Sequence, residues 1–136
     1  MRSGGPALII IIILLSCGIF TSCARHTEKI PVAEEGFIDL SGWDFSEKGT
    51  ISLSGEWRFL WNTDDPRFIL PDYDDSSWDT MEVPGVWDEK TGETEGFCWL
   101  RLTVLLPEGA SPGIYLTGAF SAHEMYVDGK KIMQSG

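Results

Sequence analysis

The stretch GEWRFLWN, residues 55–62, decides the fold. Trp57, Phe59 and Trp61 alternate with Glu56, Arg58 and Leu60. On an extended chain, a period of two sends three large aromatics to one face and the other side chains to the opposite face. Downstream, WLRLTVLLP (99–107) repeats the pattern. Leu100, Leu102, Val104 and Leu106 share one face, Trp99, Arg101, Thr103 and Leu105 share the other, and Pro107 ends the run. GIYLTG (113–118) is apolar on both faces, as a central strand can be. HEMYVDGKKIMQ reads as a hairpin, because Asp128-Gly129 suits a two-residue primed turn in which glycine accepts positive φ. FIDL (37–40), ISL (51–53) and TMEV (80–83) are shorter strand candidates, and DDSSW (74–78) suits one helical turn capped by Asp or Ser. No window carries a helical stripe and no segment repeats. Short strands separated by turn formers predict an all-β sandwich or barrel. Six or seven strands are visible where such a sandwich uses about eight. The expectation is therefore an incomplete sandwich whose remaining strands follow residue 136, leaving an unpaired edge.

Composition narrows the function. The chain has 136 residues, room for one small domain, and a formal charge of −11. Phosphate backbones demand a basic surface, so nucleic acid is excluded as a partner. Docking on anionic lipid by charge is disfavoured for the same reason. With 43% apolar residues the chain is too hydrophobic to be disordered.

The first 22 residues read as an export signal. Arg2 precedes the uncharged run ALIIIIILLSCGIF (7–20), which is shorter than the ~20 residues that span a bilayer comfortably. Cys17 in LLSC and Cys23 in FTSC each follow small residues, in the manner of a bacterial lipobox, and Cys23 is the preferred lipid attachment site because a polar segment follows it at once. A plain cleaved signal or an uncleaved N-terminal anchor is the alternative. Residues 23–36 then read as a polar tether and 37–136 as the folded domain. The expected location is outside the cytoplasm and membrane-anchored, periplasmic or at the cell surface. Cys98, in the apolar GFCWLRL, is expected to be a small buried hydrophobe with no disulfide.

Six aspartates (Asp64, Asp65, Asp72, Asp74, Asp75 and Asp79) fall within sixteen residues. A general acid and base would need two carboxyls fixed across a substrate with separated pKa values. Calcium would need several converging oxygens, and the spacing matches no EF-hand. Among so many turn formers, aspartate instead caps turns and meets solvent. The two histidines, His26 and His123, lie apart, and HExxH, CxxC, GxSxG and phosphate-loop spacings are missing. The sequence thus predicts no enzyme, no metal and no cofactor. Among the six tryptophans, Trp57 and Trp61 read as core beside Phe59, and Trp78 as packed beneath its loop. Trp87, just after Val83-Pro84-Gly85, and Trp99 are candidates to stack on a sugar ring. Glu89 is added as a ligand contact, and Arg101 as a group that could hold a carboxylate or hydroxyl, against the simpler role of a cross-strand partner on a solvent face.

In order along the chain, SGWDFSEKGTISLSGEWRFLW, DDSSWDTMEVPGVW, GFCWLRLTVLLPE and FSAHEMYVDGKKIMQSG resemble the extracytoplasmic sensor domain of bacterial seven-transmembrane receptors with diverse intracellular signalling modules. The same blocks are similar to the sugar-binding sandwich of family 2 glycoside hydrolases. The resemblance covers residues 37–136 and implies a galactose-binding-like jelly roll. It departs from the usual pattern at Asp128, where asparagine is common, and at Cys98 and Leu100, where an aromatic is common. In the hydrolases the catalytic glutamates lie in a separate barrel, to which nothing here corresponds. The resemblance implies a sensor of a carbohydrate or related polar small molecule that acts on missing downstream domains. The alternatives are a non-catalytic hydrolase domain preceding its barrel, and a lipoprotein whose sandwich mediates protein contacts.

Overall fold

The computed structural model describes residues 29–117 and 121–136. Cys17 and Cys23, and with them the export and lipid readings, lie outside the described residues. The architecture is mostly strand, with three single-turn helical elements. In chain order these are β1 (Phe37–Asp39), α1 (Phe45–Lys48), β2 (Gly55–Trp61), a 3-10 turn (Pro66–Ile69), β3 (Asp79–Val83), α2 (Trp87–Thr91), β4 (Cys98–Arg101), β5 (Thr103–Leu105), β6 (His123–Val127) and β7 (Lys130–Ser135).

GEWRFLW forms the central strand of a three-stranded antiparallel sheet, ordered β3-β2-β4. Phe59 is buried and stacks on Trp61, with centroids 6.3 Å apart, which puts these aromatics on one face as the alternation requires. Trp57 faces Met81 across the β2–β3 pair. It packs on the core of Ala33, Ile38 and Leu40, to which Leu102 and Val104 also contribute. The opposite face is covered as well. Leu60 faces Trp99, and above them Phe68 meets Tyr73, Trp78 and Trp99 edge-on at 5.0, 4.9 and 5.7 Å. Edge-to-face contacts align the positive ring rim with a negative face and each contribute about 0.5–1.5 kcal/mol beyond area burial. Trp78 is buried in this cluster, beneath its loop.

The structure departs from the sequence pattern in four places. The run 99–107 is not one strand. Its first half pairs antiparallel with β2, and its second half pairs parallel with β1, where the Thr103 N–H donates to the Gly36 carbonyl at 2.8 Å. Side-chain alternation continues through Leu102, so the change of partner leaves no mark on the pattern. ISL (51–53) forms no ladder: the Leu53 carbonyl accepts the Trp57 indole N–H at 2.8 Å, and Ile51 and Leu53 pack on the core as irregular chain. Residues 113–117 pair with nothing among the described residues, and Tyr115 is 88% exposed. Residues 74–78 make a turn rather than a helix, closed by Trp78 N–H to Asp75 carbonyl, with the Asp74 carboxylate accepting from the Ser76 N–H.

The fold also begins before residue 37. Ala33 is buried, bridges to Gly55, and leads into a tight turn in which Glu34 and Phe37 exchange both backbone bonds. Glu35 (φ 48°) and Gly36 (φ 78°) hold the left-handed conformations of a primed hairpin turn. The polar composition of 24–36 conceals this, since among the described residues of that segment Ala33 is the one side chain that the core encloses. At the other end β6 and β7 form the expected hairpin, with Asp128 (φ 48°) and Gly129 (φ 76°) at its tip and a bulge opposite Met125/Tyr126.

Candidate functional site

β3 is an edge strand, and the chain leaves it through a cis Val83–Pro84 bond and Gly85 into α2. α2 is too short to show helical periodicity. It ends on Gly92, whose αL backbone (φ 75°) lets its N–H return to the Asp88 carbonyl at 2.8 Å. Lys90 fastens the helix to the sheet. Its ammonium meets the Asp79 carboxylate at 2.7 Å and lies 6.0 Å from the Phe59 ring centroid. That hydrogen bond, with help from the Thr80 N–H, holds the Asp79 carboxyl below its ordinary pKa.

Between β3 and α2 runs a shallow open groove of about 450 Å³, lined by Thr80, Met81, Glu82, Gly85, Val86, Glu89 and Lys90. Trp87 starts α2, half-buried, with its indole 6.1 Å from that of Trp61 and tilted by 41°. Trp61 is itself fixed. A Cβ at Gly96 (φ +151°) would come within 2.6 Å of the Trp61 ring, so glycine there lets the chain lie against the indole. The Asn62 carboxamide oxygen accepts from the Phe97 N–H at 3.0 Å and secures the turn. Glu89 therefore lines the groove, whereas Trp87, two residues earlier on the same helical turn, is not among the groove's lining and packs on Trp61 instead. Trp61 had read as core from its strand pattern, and only its position at the strand's end could have marked it as part of a rim.

Trp99 and Arg101 sit elsewhere. Both project from the opposite face of the sheet, Trp99 facing Leu60 and Arg101 facing Arg58. Trp99 lies between Phe68 and Tyr126, whose ring is 6.0 Å away. Arg101 is neither a solvent-face partner nor open to a ligand. Its Nε donates to Asp75 at 2.7 Å, Nη1 to the Phe68 carbonyl at 2.7 Å, and Nη2 to the Leu70 and Pro71 carbonyls at 2.9 and 3.1 Å. All three nitrogens are thus committed to holding the 66–75 loop against the sheet. Asp75 also lies 4.0 Å from Arg58 Nε.

Two more of the clustered aspartates serve their own turns. Asp65 caps the 3-10 turn and forks onto Arg67, which lowers its pKa to about 2, and Asp74 caps Ser76. Among the described residues no three His, Cys, Asp or Glu side chains converge as a metal set would. Cys98 is half-buried, and burial raises its thiol pKa. The candidate site thus has two neighbouring parts, a groove lined by the Glu82 and Glu89 carboxylates, which suits hydrogen bonding to hydroxyls, and the Trp61-supported Trp87 indole, which suits stacking on a flat apolar ring face. Comparison with family models, curated proteins and solved structures finds no match to this chain.

Proposed function

We propose that this chain is an extracytoplasmic ligand-sensing module, of the galactose-binding-like jelly-roll type, for a carbohydrate or a related polar small molecule. The observation that carries this reading is the half-buried Trp87, backed by Trp61, on the same short helix whose Glu89 lines a groove with Glu82. The Trp87 ring stacks on an apolar sugar face while Glu89 accepts from hydroxyls. Trp99 and Arg101 support the scaffold from the far face. Since Lys90 couples α2 to β3 through Asp79, a ligand that shifts α2 shifts the edge of the central sheet. A neighbouring domain reads that shift.

Binding of the full chain to a glycan array tests the reading. Retention of one sugar class, weakened about tenfold or more by Trp87→Ala, is expected. No retention by chain whose fold is confirmed removes the carbohydrate assignment. The protein-contact reading draws on the exposed run Ile114-Tyr115-Leu116. It gains if substituting that run abolishes an association that Trp87→Ala leaves intact.

A further inference from the structure

The described chain opens with an apolar patch. Ile30 is 65% exposed, Val32 48% and Phe37 45%, and with Pro31 they line the walls of a groove of about 620 Å³. Backbone bonds hold the Ala33–Phe37 part of the patch in place. Ala33 is anchored to Gly55 and Ser54, and the Glu35-Gly36 turn folds Phe37 back beside Glu34. Phe37, in the bonded turn, and Val32, next to the anchored Ala33, are thus kept at the surface by the fold, and Ile30 stands beside them. Around them stand Glu34, Glu35 and Asp39, with Lys29 the one cation of the lining.

The chain outside the described residues indicates what covers this patch. Whether the anchor is a lipid on Cys23 or the uncharged run 7–20, it ends no more than ten residues before Ile30, which keeps the patch within about 35 Å of it even if the intervening chain is fully extended. We infer that Ile30, Val32 and Phe37 rest in the interfacial layer of the membrane that holds the N-terminus. The inference builds on the membrane-anchored reading above. The acidic surround sets the lipid chemistry, because three carboxylates beside the patch are repelled by an anionic surface and tolerated by a zwitterionic one. The orientation follows from β2. Its Gly55 end adjoins the patch through Ala33, and its Trp61 end lies about 20 Å away at ~3.3 Å per residue. A domain seated this way carries the Trp61–Trp87 rim at the end of β2 farther from the bilayer.

The test is photo-crosslinking of full-length chain reconstituted in phosphatidylcholine vesicles, with benzoylphenylalanine placed at Phe37 or at Phe97. Phe97 is a matched control, 49% exposed and bonded to Asn62 at the far end of β2. Vesicle flotation reports anchoring separately. The inference expects lipid adducts at position 37 several-fold above those at position 97. It also expects fewer adducts at 37 when phosphatidylglycerol replaces part of the phosphatidylcholine. Floating protein with equal adducts at both positions overturns the docking surface and leaves the anchor standing. Protein–protein adducts at 37 in place of lipid make the occupant a second copy and overturn it as well. Chain that does not float overturns both the anchor and the docking surface.

Discussion

Arg101 shows how one side chain sets a loop. Its guanidinium is 17% exposed and holds one carboxylate and three backbone carbonyls. Lysine supplies the charge but not the planar fork. Arg101→Lys should therefore cost about 1.5–3 kcal/mol of unfolding free energy, measured by urea denaturation, and should loosen the Phe68–Trp78 cluster. An unchanged midpoint would mean the loop holds itself. Asp65 is the contrasting case, since its Arg67 partner is 69% exposed and solvent screens the pair. Its folded pKa, about 2, lies below the ordinary 3.8. Whatever stability it contributes is complete above about pH 4 and is lost as pH falls through about 2. An NMR titration of the Asp65 carboxyl should show a midpoint near 2, and Asp65→Asn should leave stability at pH 7 nearly unchanged. A midpoint near 4 would deny the Arg67 fork in solution.

The elements were legible in proportion to how much of their physics is local. β2 and the β6–β7 hairpin follow from alternation and from a turn dipeptide that needs positive φ, and both stand where the sequence puts them. The single strand expected over 99–107 divides, because partner choice depends on Gly36 and β1, with Phe37 and Thr103 paired 66 positions apart (103 − 37), and alternation is blind to it. The helices α1 and α2 are too short for a stripe, so Trp87 was legible as a rim residue but its support by Trp61 was not. Gly96 decides that support. Gly96→Ala would place a Cβ 2.6 Å from the Trp61 ring on a backbone that disfavours side chains. The expected cost is about 1–3 kcal/mol, with a changed Trp61 environment in near-UV circular dichroism. The segment 113–117 suits a strand by composition but gains no ladder among the described residues. Its amides should exchange with deuterium far faster than those of β2, whose backbone bonds lie between two covered faces. Equal protection would place it in a sheet.

At the scale of the whole molecule, the central sheet is covered on both faces. The Ile38–Leu40 core lies on one side, and the Phe68 aromatic cluster lies on the other. This layering explains why the four ligand candidates of the sequence do not form one site. Glu89 belongs to the groove at the β3 edge, Trp87 packs on Trp61 at the end of β2, and Trp99 and Arg101 are spent on the second layer. The receptor proposed above rests on the Trp87 indole and its support by Trp61. The most direct measurement is a two-dimensional spectrum of the tryptophan indole N–H groups, recorded while galactose, glucose and N-acetylglucosamine are each added to saturation. The Trp87 and Trp61 indole signals should move together for at least one sugar, with Trp78 and Trp99 unmoved. Shifts confined to Trp78 or Trp99, or no indole shift with any sugar, would contradict it.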